Sequence, residues 1–404
     1  MRRWPAAVLA FALTACGAPV TANVVTVWMY PIIDDEARGK AFWREVETGF
    51  EATHDIDLRI QLQPWAGREE KIGTAMLSGS GPDVVLLQPD MIPQYAQRQA
   101  LHPVGDVVTA AEREFRPSAV TALTVRNEVY GVPLYQTVTT TVYNRRLFAE
   151  AGITTLPRTW DEVRAAAPKL AAKGVPVLAY SGSAQETLNL TFYPLLWQAG
   201  GAVFSADGRR SAFSSPEGVA ALRFLVDLKA ANGLPRDVTT RQSSIKDDPV
   251  AMGQAAMSHV ATAAQARNVM TGIGAGDTVI GLPLQGRVRA TFGQPGALSL
   301  VRGTKNAAAA KEVLTYLTSP KVVDELCARS DFFAPWTDVA APADEVSKSF
   351  LDALPYASAG DPHPQARRVM SLLAPHLQAA LLGRATPEQA LADAAAEVDG
   401  MLGG

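Results

Sequence analysis

Two kinds of hydrophobic periodicity alternate along this chain, one typical of strands and the other of helices. Residues 24–30 form an apolar run that predicts a buried strand, and apolar side chains then recur at helical spacing over 42–50. Every second residue is apolar over 56–62, which predicts a half-buried strand. A helix over 69–77 and an apolar strand over 83–87 follow. Strands that alternate with helices indicate a parallel sheet with helices on both faces.

The same alternation resumes beyond residue 133, where the signals for helix starts are strong. Thr159 and Glu162 have the spacing of a capping box, as do Thr386 and Gln389, and Ser215 precedes a proline at a first helical position. Further strands are predicted over 140–143, 175–180, 278–282 and 297–301, and further helices over 160–173, 185–200, 216–228, 306–317, 320–329 and 387–401. The pattern therefore predicts two α/β lobes, and proteins of this class usually bind ligands in the crevice between lobes.

Composition places the chain among globular proteins. Its 404 residues suffice for two or three domains, and the 48% of hydrophobic side chains can bury a substantial core. The formal net charge is −3, so charge alone does not attract the protein to nucleic acid or to anionic lipid. We therefore expect no nucleic-acid partner.

The first sixteen residues have the composition of a secretory signal. Arg2 and Arg3 precede an apolar run over 4–13, which is shorter than the roughly 20 residues of a transmembrane helix. The ending Leu-Thr-Ala-Cys over 13–16 resembles a bacterial lipobox. That resemblance implies a signal peptide over 1–15, lipid attachment to Cys16, and an anchor on the extracytoplasmic face of the cell membrane. The alternative is an ordinary cleaved signal in which Cys16 has no role.

Several short motifs occur in an order that is specific to one family. They are Tyr-Gly-Val-Pro at 130–133, Val-Tyr-Asn-Arg-Arg-Leu-Phe at 142–148, Thr-Trp-Asp-Glu-Val at 159–163, Gln-Ala-Gly-Gly at 198–201, Ser-Pro-Glu at 215–217, Gly-Gln-Ala-Ala-Met at 253–257, and the segment 381–391. In this order they resemble the family 1 extracellular solute-binding proteins of ABC importers, the group that includes maltose-binding protein. The resemblance covers nearly the whole chain after the signal.

The resemblance implies a two-lobed α/β fold of the type II periplasmic-binding-protein class, with the ligand in the cleft. It implies three crossings between the lobes, near 131–135, 284–288 and 332–340. Lobe one is expected to comprise 24–132 plus 288–332, and lobe two 133–287 plus 333–404. Closure around the ligand would create the surface that the membrane subunits of an ABC permease recognise. We expect a monomer without a cofactor.

A sugar presents flat C–H faces and a ring of hydroxyls, so its site needs aromatic side chains beside planar polar groups. Lobe one offers such residues at strand ends and in a loop, the first crossing and a glycine-rich segment offer others, and lobe two offers three. The candidates are Trp28, Tyr30, Trp65, Gln88 and Asp90; then Tyr135, Gln136, Gly293 and Gln294; and in lobe two Ser181, Asn189 and Arg367.

Each candidate has a structural alternative. Trp28 at a strand end is typical of a core residue, and Asp90 precedes Met91 where a helix cap is expected. The resemblance favours a ligand role for Asp90, because the matching family loop holds a sugar-binding acid. Gly293 and Gln294 are equally compatible with a plain turn. Trp160 and Trp197 have core spacing on helices, and we expect them to pack.

One departure from the family pattern concerns the substrate. After 253–257 the family often continues into Gly-Pro-Trp, whose tryptophan stacks on sugar, whereas this chain has Ser-His-Val-Ala-Thr-Ala at 258–263. A ligand smaller than, or different from, a maltodextrin is therefore expected.

Two other classes of function stay open at this stage. An exported carbohydrate-active enzyme, a glycosidase or lyase, would need paired carboxylates that folding brings together. No catalytic motif supports it, and the five histidines lack metal-ligand spacing, which predicts capping or surface roles for them. A surface interaction lipoprotein would need an exposed apolar patch. We expect a binding protein and not an enzyme.

Overall fold

A computed structural model describes residues 23–33, 35–339, 342 and 344–403. The predicted signal peptide and Cys16 lie outside these residues. The strands, in chain order, are β1 (Val24–Met29), β2 (Asp57–Leu62), β3 (Val84–Leu87), β4 (Leu101–His102), β5 (Thr124–Val125), β6 (Glu128–Val129), β7 (Val132–Gln136), β8 (Thr140–Asn144), β9 (Met257–Ala261), β10 (Thr278–Gly281), β11 (Thr291–Phe292), β12 (Pro295–Val301) and β13 (Ala357–Ser358).

The described residues also form α-helices that follow and separate these strands. In chain order they are α1 (Glu36–Glu51), α2 (Arg68–Ser78), α3 (Ile92–Gln97), α4 (Gly105–Thr109), α5 (Pro117–Ala122), α6 (Arg145–Glu150), α7 (Trp160–Ala171), α8 (Phe192–Gln198), α9 (Pro216–Ala230), α10 (Ala263–Ile273), α11 (Ala307–Leu317), α12 (Pro320–Ala328), α13 (Glu345–Ala353), α14 (Ala366–Leu381) and α15 (Pro387–Leu402). Short 3-10 turns occupy Leu188–Leu190 and Leu354–Tyr356.

Lobe one is built on a mixed sheet in the order β2-β1-β3-β12, and both β4 and β7 pair with the remaining edge of β12. β1 is parallel to β2 and β3, as the alternating pattern predicts. β12 is antiparallel to β3, β4 and β7. The prediction of a parallel sheet is therefore wrong at β12. The hydrophobic pattern specifies a strand but not its direction, and β12 enters this sheet only after the chain has passed through lobe two.

The core of lobe one surrounds this sheet, and α1 is one of the helices that contribute to it, together with α3, α11 and α12. Every second residue of β1 is buried, and Val25, Val27 and Met29 are completely inaccessible to solvent. The helical stripe predicted over 42–50 packs against them, with Phe42 and Phe50 also fully buried. Full burial of side chains of this size contributes about 1.5–3 kcal/mol each.

Lobe two has a smaller, antiparallel sheet in the order β10-β8-β9. The strand predicted over 175–180 is present only as an isolated bridge between Leu178 and Met257, because Pro176 has no N–H to donate to a ladder. The helix predicted over 185–200 is a 3-10 turn followed by α8. Trp160 and Trp197 are buried, which confirms their packing role.

Capping explains where three helices of lobe two begin, α7, α9 and α15. Thr159 and Glu162 form the complete predicted box at α7, each side chain accepting from the backbone N–H of the other. The second predicted box is only half formed, since Thr386 accepts from the Gln389 N–H while the Gln389 side chain donates to Asp393. Ser215 caps α9 as predicted.

Backbone hydrogen bonds join the three segments that connect the lobes. The Gln136 N–H donates to the Phe333 carbonyl at 2.7 Å, and the Phe333 N–H returns a bond of 2.9 Å. Thr137 and Thr139 donate to the Gln294 and Phe292 carbonyls, each at 2.9 Å. We call these joined segments the hinge: residues 136–139, 292–294 and 333.

The lobe boundaries stay predictions, and core packing bears on their position. Leu134 and Tyr135 belong to the core of lobe one, as does Trp336, whereas Phe292 belongs to the core of lobe two. This packing favours crossings a few residues later than those given by the resemblance.

Gly218 in the first turn of α9 provides a test of this packing. A Cβ at Gly218 would lie 1.7 Å from the Phe213 carbonyl oxygen, whereas a Cβ at Gly400 in α15 would meet nothing within 4 Å. We expect Gly218→Ala to lower the free energy of unfolding by about 3 kcal/mol through overpacking. Gly400→Ala is the control and should raise it by up to about 1 kcal/mol, because alanine favours helix. Denaturant unfolding measures both, and equal midpoints would contradict the packing described.

Candidate functional site

A cavity of about 640 Å³ lies between the two lobes, within the range typical of ligand sites. We call it the cleft. Lobe one and the hinge region contribute Trp65, Arg68, Glu69, Gln88, Tyr135, Thr137, Gln294 and Phe332, and lobe two contributes Thr187, Asn189, Leu190, Phe292 and Arg367. Six of the twelve residues predicted as ligand contacts, Trp65, Gln88, Tyr135, Asn189, Gln294 and Arg367, therefore line one cavity.

Trp65 is the most exposed of the aromatic side chains that line the cleft. It lies in the loop between β2 and α2 with 38% of its surface exposed, and its indole N–H donates to the Pro31 carbonyl at 3.0 Å. The Tyr30 ring stacks against it at a centroid distance of 4.8 Å. Tyr30 itself is buried, and this burial raises the pKa of its hydroxyl to about 12. Tyr30 therefore does not line the cavity, and its ring packs against one face of the Trp65 indole.

A second aromatic pair lies at the hinge. The rings of Tyr135 and Phe332 stack at 4.7 Å, and both residues line the cleft. Gly296 on the adjacent strand makes room for this pair, because a Cβ there would lie 2.1 Å from Cζ of Tyr135. Burial raises the pKa of the Tyr135 hydroxyl well above its usual value. Phe332 was not predicted, since no local motif marks it.

An ion pair crosses the cleft from lobe two to lobe one. Nε of Arg367 on α14 lies 2.8 Å from Oδ2 of Asp90, and one terminal nitrogen lies 3.1 Å from Oδ1. Arg367 also pairs with Glu69 on α2 and donates to Oε1 of Gln88 at 3.2 Å. Asp90 is only 5% exposed, and α3 begins without a side-chain cap, so the structural alternative of a capping role for Asp90 is wrong. Its carboxylate is instead the counter-ion of Arg367.

Arg68 is the second arginine of the cleft, and the sequence analysis missed it. It is the first residue of α2, and Gly67 before it adopts the left-handed conformation (φ 69°) that redirects the chain there. Its guanidinium donates to Oε1 of Gln88 and lies 5.0 Å from the Trp65 ring centroid. Burial lowers the pKa of Arg68, and repulsion by Arg367 lowers it further. Its position three residues after Trp65, at a helix start, was the available signal.

Polar side chains at the hinge complete the cleft. The Gln294 N–H donates to Oγ1 of Thr137 at 3.0 Å, while Oε1 of its buried side chain has no hydrogen-bond partner among the described residues. Asn189 is buried on the 3-10 turn. At Gly293 a Cβ would lie 2.6 Å from the Thr137 carbonyl oxygen, so this glycine allows the hinge segments to approach.

Of the six predicted contacts that do not line the cleft, Tyr30, Asp90 and Gly293 contact residues that do, and the other three are placed as follows. Trp28 donates to Oε1 of Gln61 at 3.1 Å and lines a separate cavity with Lys71, whose amine lies 5.1 Å from the ring centroid. Gln136 is buried in the hinge, where its side-chain amide donates to the Thr137 carbonyl at 2.9 Å. Ser181 lines a small polar cavity of about 70 Å³ within lobe two.

His259 corrects the expectation that all histidines lie at the surface or cap helices. It is buried in β9, with Nε2 3.2 Å from the Thr191 carbonyl oxygen, and burial lowers its pKa to about 4. The reason is that every residue of β9 is buried, so the strand has no solvent face.

Across the part of the chain that the structure describes, no cluster of three metal-ligating side chains occurs, and no helix is both long and apolar enough to cross a membrane.

Comparisons with known proteins agree with this architecture. The family model for bacterial extracellular solute-binding proteins matches residues 34–324. A binding protein of Brucella abortus is 23% identical over an alignment covering 100% of this chain and 99% of that protein. An ABC transporter solute-binding protein from Thermotoga lettingae, solved with α-D-tagatose, has a TM-score of 0.79 at 25% identity, covering 94% of this chain and 100% of that one. The GacH receptor of Streptomyces glaucescens, solved unliganded and with acarbose, has a TM-score of 0.79 at 21% identity, covering 94% and 98%.

The contacts of Arg367 lead to a prediction about the unliganded protein. We expect Arg367→Gln to shift it toward more open conformations, because the change removes the charge that holds Asp90 and Glu69 of lobe one to α14. Small-angle X-ray scattering should show a larger radius of gyration. Arg223→Gln is the control, since Arg223 pairs with Glu388 within lobe two. Identical scattering from all three proteins would show that the ion pair does not hold the lobes together.

Proposed function

Because this chain belongs to the family of bacterial extracellular solute-binding proteins, we propose that it binds a sugar or related polyol in the cleft and delivers it to the membrane subunits of an ABC importer. One observation carries the proposal: a single cavity is lined by aromatic rings and planar polar groups that both lobes supply. A ligand that touches both lobes favours the closed form by its differential affinity, and this form is the signal a permease can recognise. The protein acts as a monomer in this proposal.

The chemistry of the lining supports a saccharide. Trp65 offers an exposed indole for the C–H face of a sugar ring, and the Tyr135 and Phe332 pair adds a second apolar surface. Gln294 and Asn189 offer amides to hydroxyl groups. The tagatose and acarbose bound by the two solved relatives are consistent with this class.

The segment that departs from the family pattern also bears on ligand size. Residues 258–261 form the rest of β9, and Thr262 caps α10, so no tryptophan is available there to stack on a sugar. A cavity of about 640 Å³ without this platform suits a mono- or disaccharide better than a long maltodextrin.

The arrangement of the acids does not favour a glycosidase. Catalysis by that route needs one carboxylic acid and one free carboxylate flanking the scissile bond. Glu69 in the lining and Asp90 beside it are both paired with Arg367, and Glu70, the other acid of the lining, is exposed to solvent. A binding role, as in the family to which the chain belongs, is therefore the better account.

Calorimetric titration tests the function and the role of Trp65 together. We expect the protein to bind at least one compound from a panel of mono- and disaccharides and polyols, and Trp65→Ala to weaken that binding at least tenfold through loss of the stacking surface. Trp28→Ala is the matched control and should change the affinity less than twofold, because Trp28 lines a different cavity.

A thermal-shift screen identifies the compound to titrate, since a ligand at 100 times its dissociation constant adds about 2.7 kcal/mol. Failure of every compound would refute sugar and polyol binding. Equal losses in both variants would remove Trp65 from the list of contacts.

We also propose that Cys16 carries the lipid anchor on the extracytoplasmic face of the membrane. The lipobox-like ending at 13–16 supports it, and the extracellular location typical of the family is consistent with it. In detergent phase separation of cell extracts, the wild-type protein should enter the detergent phase. Cys16→Ala should enter the aqueous phase, because two buried acyl chains make anchoring stable and their loss removes it. Retention of the variant in detergent would refute the anchor.

A further inference from the structure

The two arginines of the cleft differ in how their charge is compensated. Arg367 pairs with both Asp90 and Glu69. Arg68 forms no salt bridge with any residue that the structure describes, and its one hydrogen bond goes to the neutral amide oxygen of Gln88. That same oxygen also accepts from Arg367 at 3.2 Å, so two guanidinium groups share one neutral acceptor. Arg68 is therefore a partly buried cation without a counter-ion in direct contact.

The pairing of the acids changes what the cleft can offer a ligand. In a site for a neutral sugar, free carboxylates accept hydrogen bonds from hydroxyl groups. Here Arg367 pairs with Asp90 and Glu69 and offsets their negative charge, while Arg68 uses one nitrogen on Gln88 and has its other nitrogen atoms available as donors. Glu70, the other acid in the lining, is exposed to solvent, where its charge is screened. The available groups therefore favour a ligand rich in acceptors.

The position of the Arg68 guanidinium over the Trp65 ring is a second reason to expect an anionic group on the ligand. Its guanidinium carbon lies 5.0 Å from the ring centroid and occupies part of the surface on which a sugar would stack. An incoming ring must displace it, and displacement by a neutral sugar would leave the cation without its aromatic partner. A ligand that carries an oxyanion beside its ring replaces the lost contact with a charge-assisted pair.

We propose that the ligand is an acidic saccharide, whose ring stacks on Trp65 and whose carboxylate or phosphate is bound by Arg68. This inference rests on the proposed function and narrows its substrate class. Both oxyanions match the planar fork of a guanidinium, which donates two parallel hydrogen bonds, whereas the ammonium of lysine cannot reproduce that geometry. Arg68 is then the residue that determines specificity for acidic over neutral sugars.

Titrations with matched ligand pairs test this proposal. The pairs are D-galacturonate with D-galactose, D-glucuronate with D-glucose, and digalacturonate with galactobiose; D-glucose 6-phosphate with D-glucose tests the phosphate. We expect the acidic member of at least one pair to bind at least tenfold more tightly than its neutral partner. Carboxylate and phosphate pairs together distinguish the two sources of the oxyanion.

Variants of Arg68 connect any such preference to this side chain. Arg68→Gln should weaken binding of the acidic ligand at least tenfold and that of its neutral partner less than twofold, and Arg68→Lys should recover only part of the loss. Arg98→Gln is the control, because Arg98 lies in lobe one and lines a different groove. Thermal melting of each unliganded variant checks that it is folded.

The outcomes separate the two proposals. Binding of neutral sugars that equals or exceeds binding of acidic sugars in every pair would overturn the inference and leave the proposed function intact. An acid preference that survives Arg68→Gln would also overturn it, because another residue would then hold the anion. Binding of no sugar of either kind would overturn the proposed function and the inference with it.

Discussion

The cleft depends on the backbone hydrogen bonds that join the three segments connecting the lobes. Gln136 and Phe333 exchange two bonds, and Thr137 and Thr139 bond to the segment 292–294. These bonds hold Gln294 within the hinge, and Tyr135 and Phe332 directly beside it, on the wall of the cavity. Extended segments held in this way can change their dihedral angles while both cores stay intact, which is the basis of hinge closure. The residues next to the hinge are therefore the ones whose surroundings change when the lobes move.

Arg367 adds an electrostatic connection between the two lobes. Asp90 is almost fully buried, so its charge requires a partner, and removing that partner alone would be costly. A ligand that enters must either fit beside this pair or replace its contacts. Closure in this protein therefore reflects two contributions, the ion pair and the ligand, and a ligand stabilises the closed form only by what it adds to the ion pair.

Sequence patterns predicted β1 to β3, α1 and the complete capping box at Thr159, because each rests on contacts between neighbours in the chain. They failed where distant segments decide the outcome. β12 is antiparallel because the chain returns from lobe two, and Asp90 pairs with an arginine far along the sequence. Trp65 could be predicted because the local sequence marks its loop, and Arg68 at the helix start that follows carried a similar local signal that was missed. Phe332 lines the cleft beside Tyr135, which lies far from it in the sequence, so no local pattern shows it.

The pairing of Asp90 shows why family resemblance predicts a position better than a role. A carboxylate at this place can accept hydrogen bonds from a sugar only while its lone pairs are free. Here Arg367 donates to Oδ1 at 3.1 Å and its Nε lies 2.8 Å from Oδ2, so the charge of the carboxylate is already paired before any ligand arrives. The same acid that would select hydroxyl groups instead fixes an arginine, and this arginine lies beside Arg68 and repels it. If Arg68 binds an oxyanion, as we propose, Asp90 affects selectivity only indirectly, by fixing the arginine that faces Arg68.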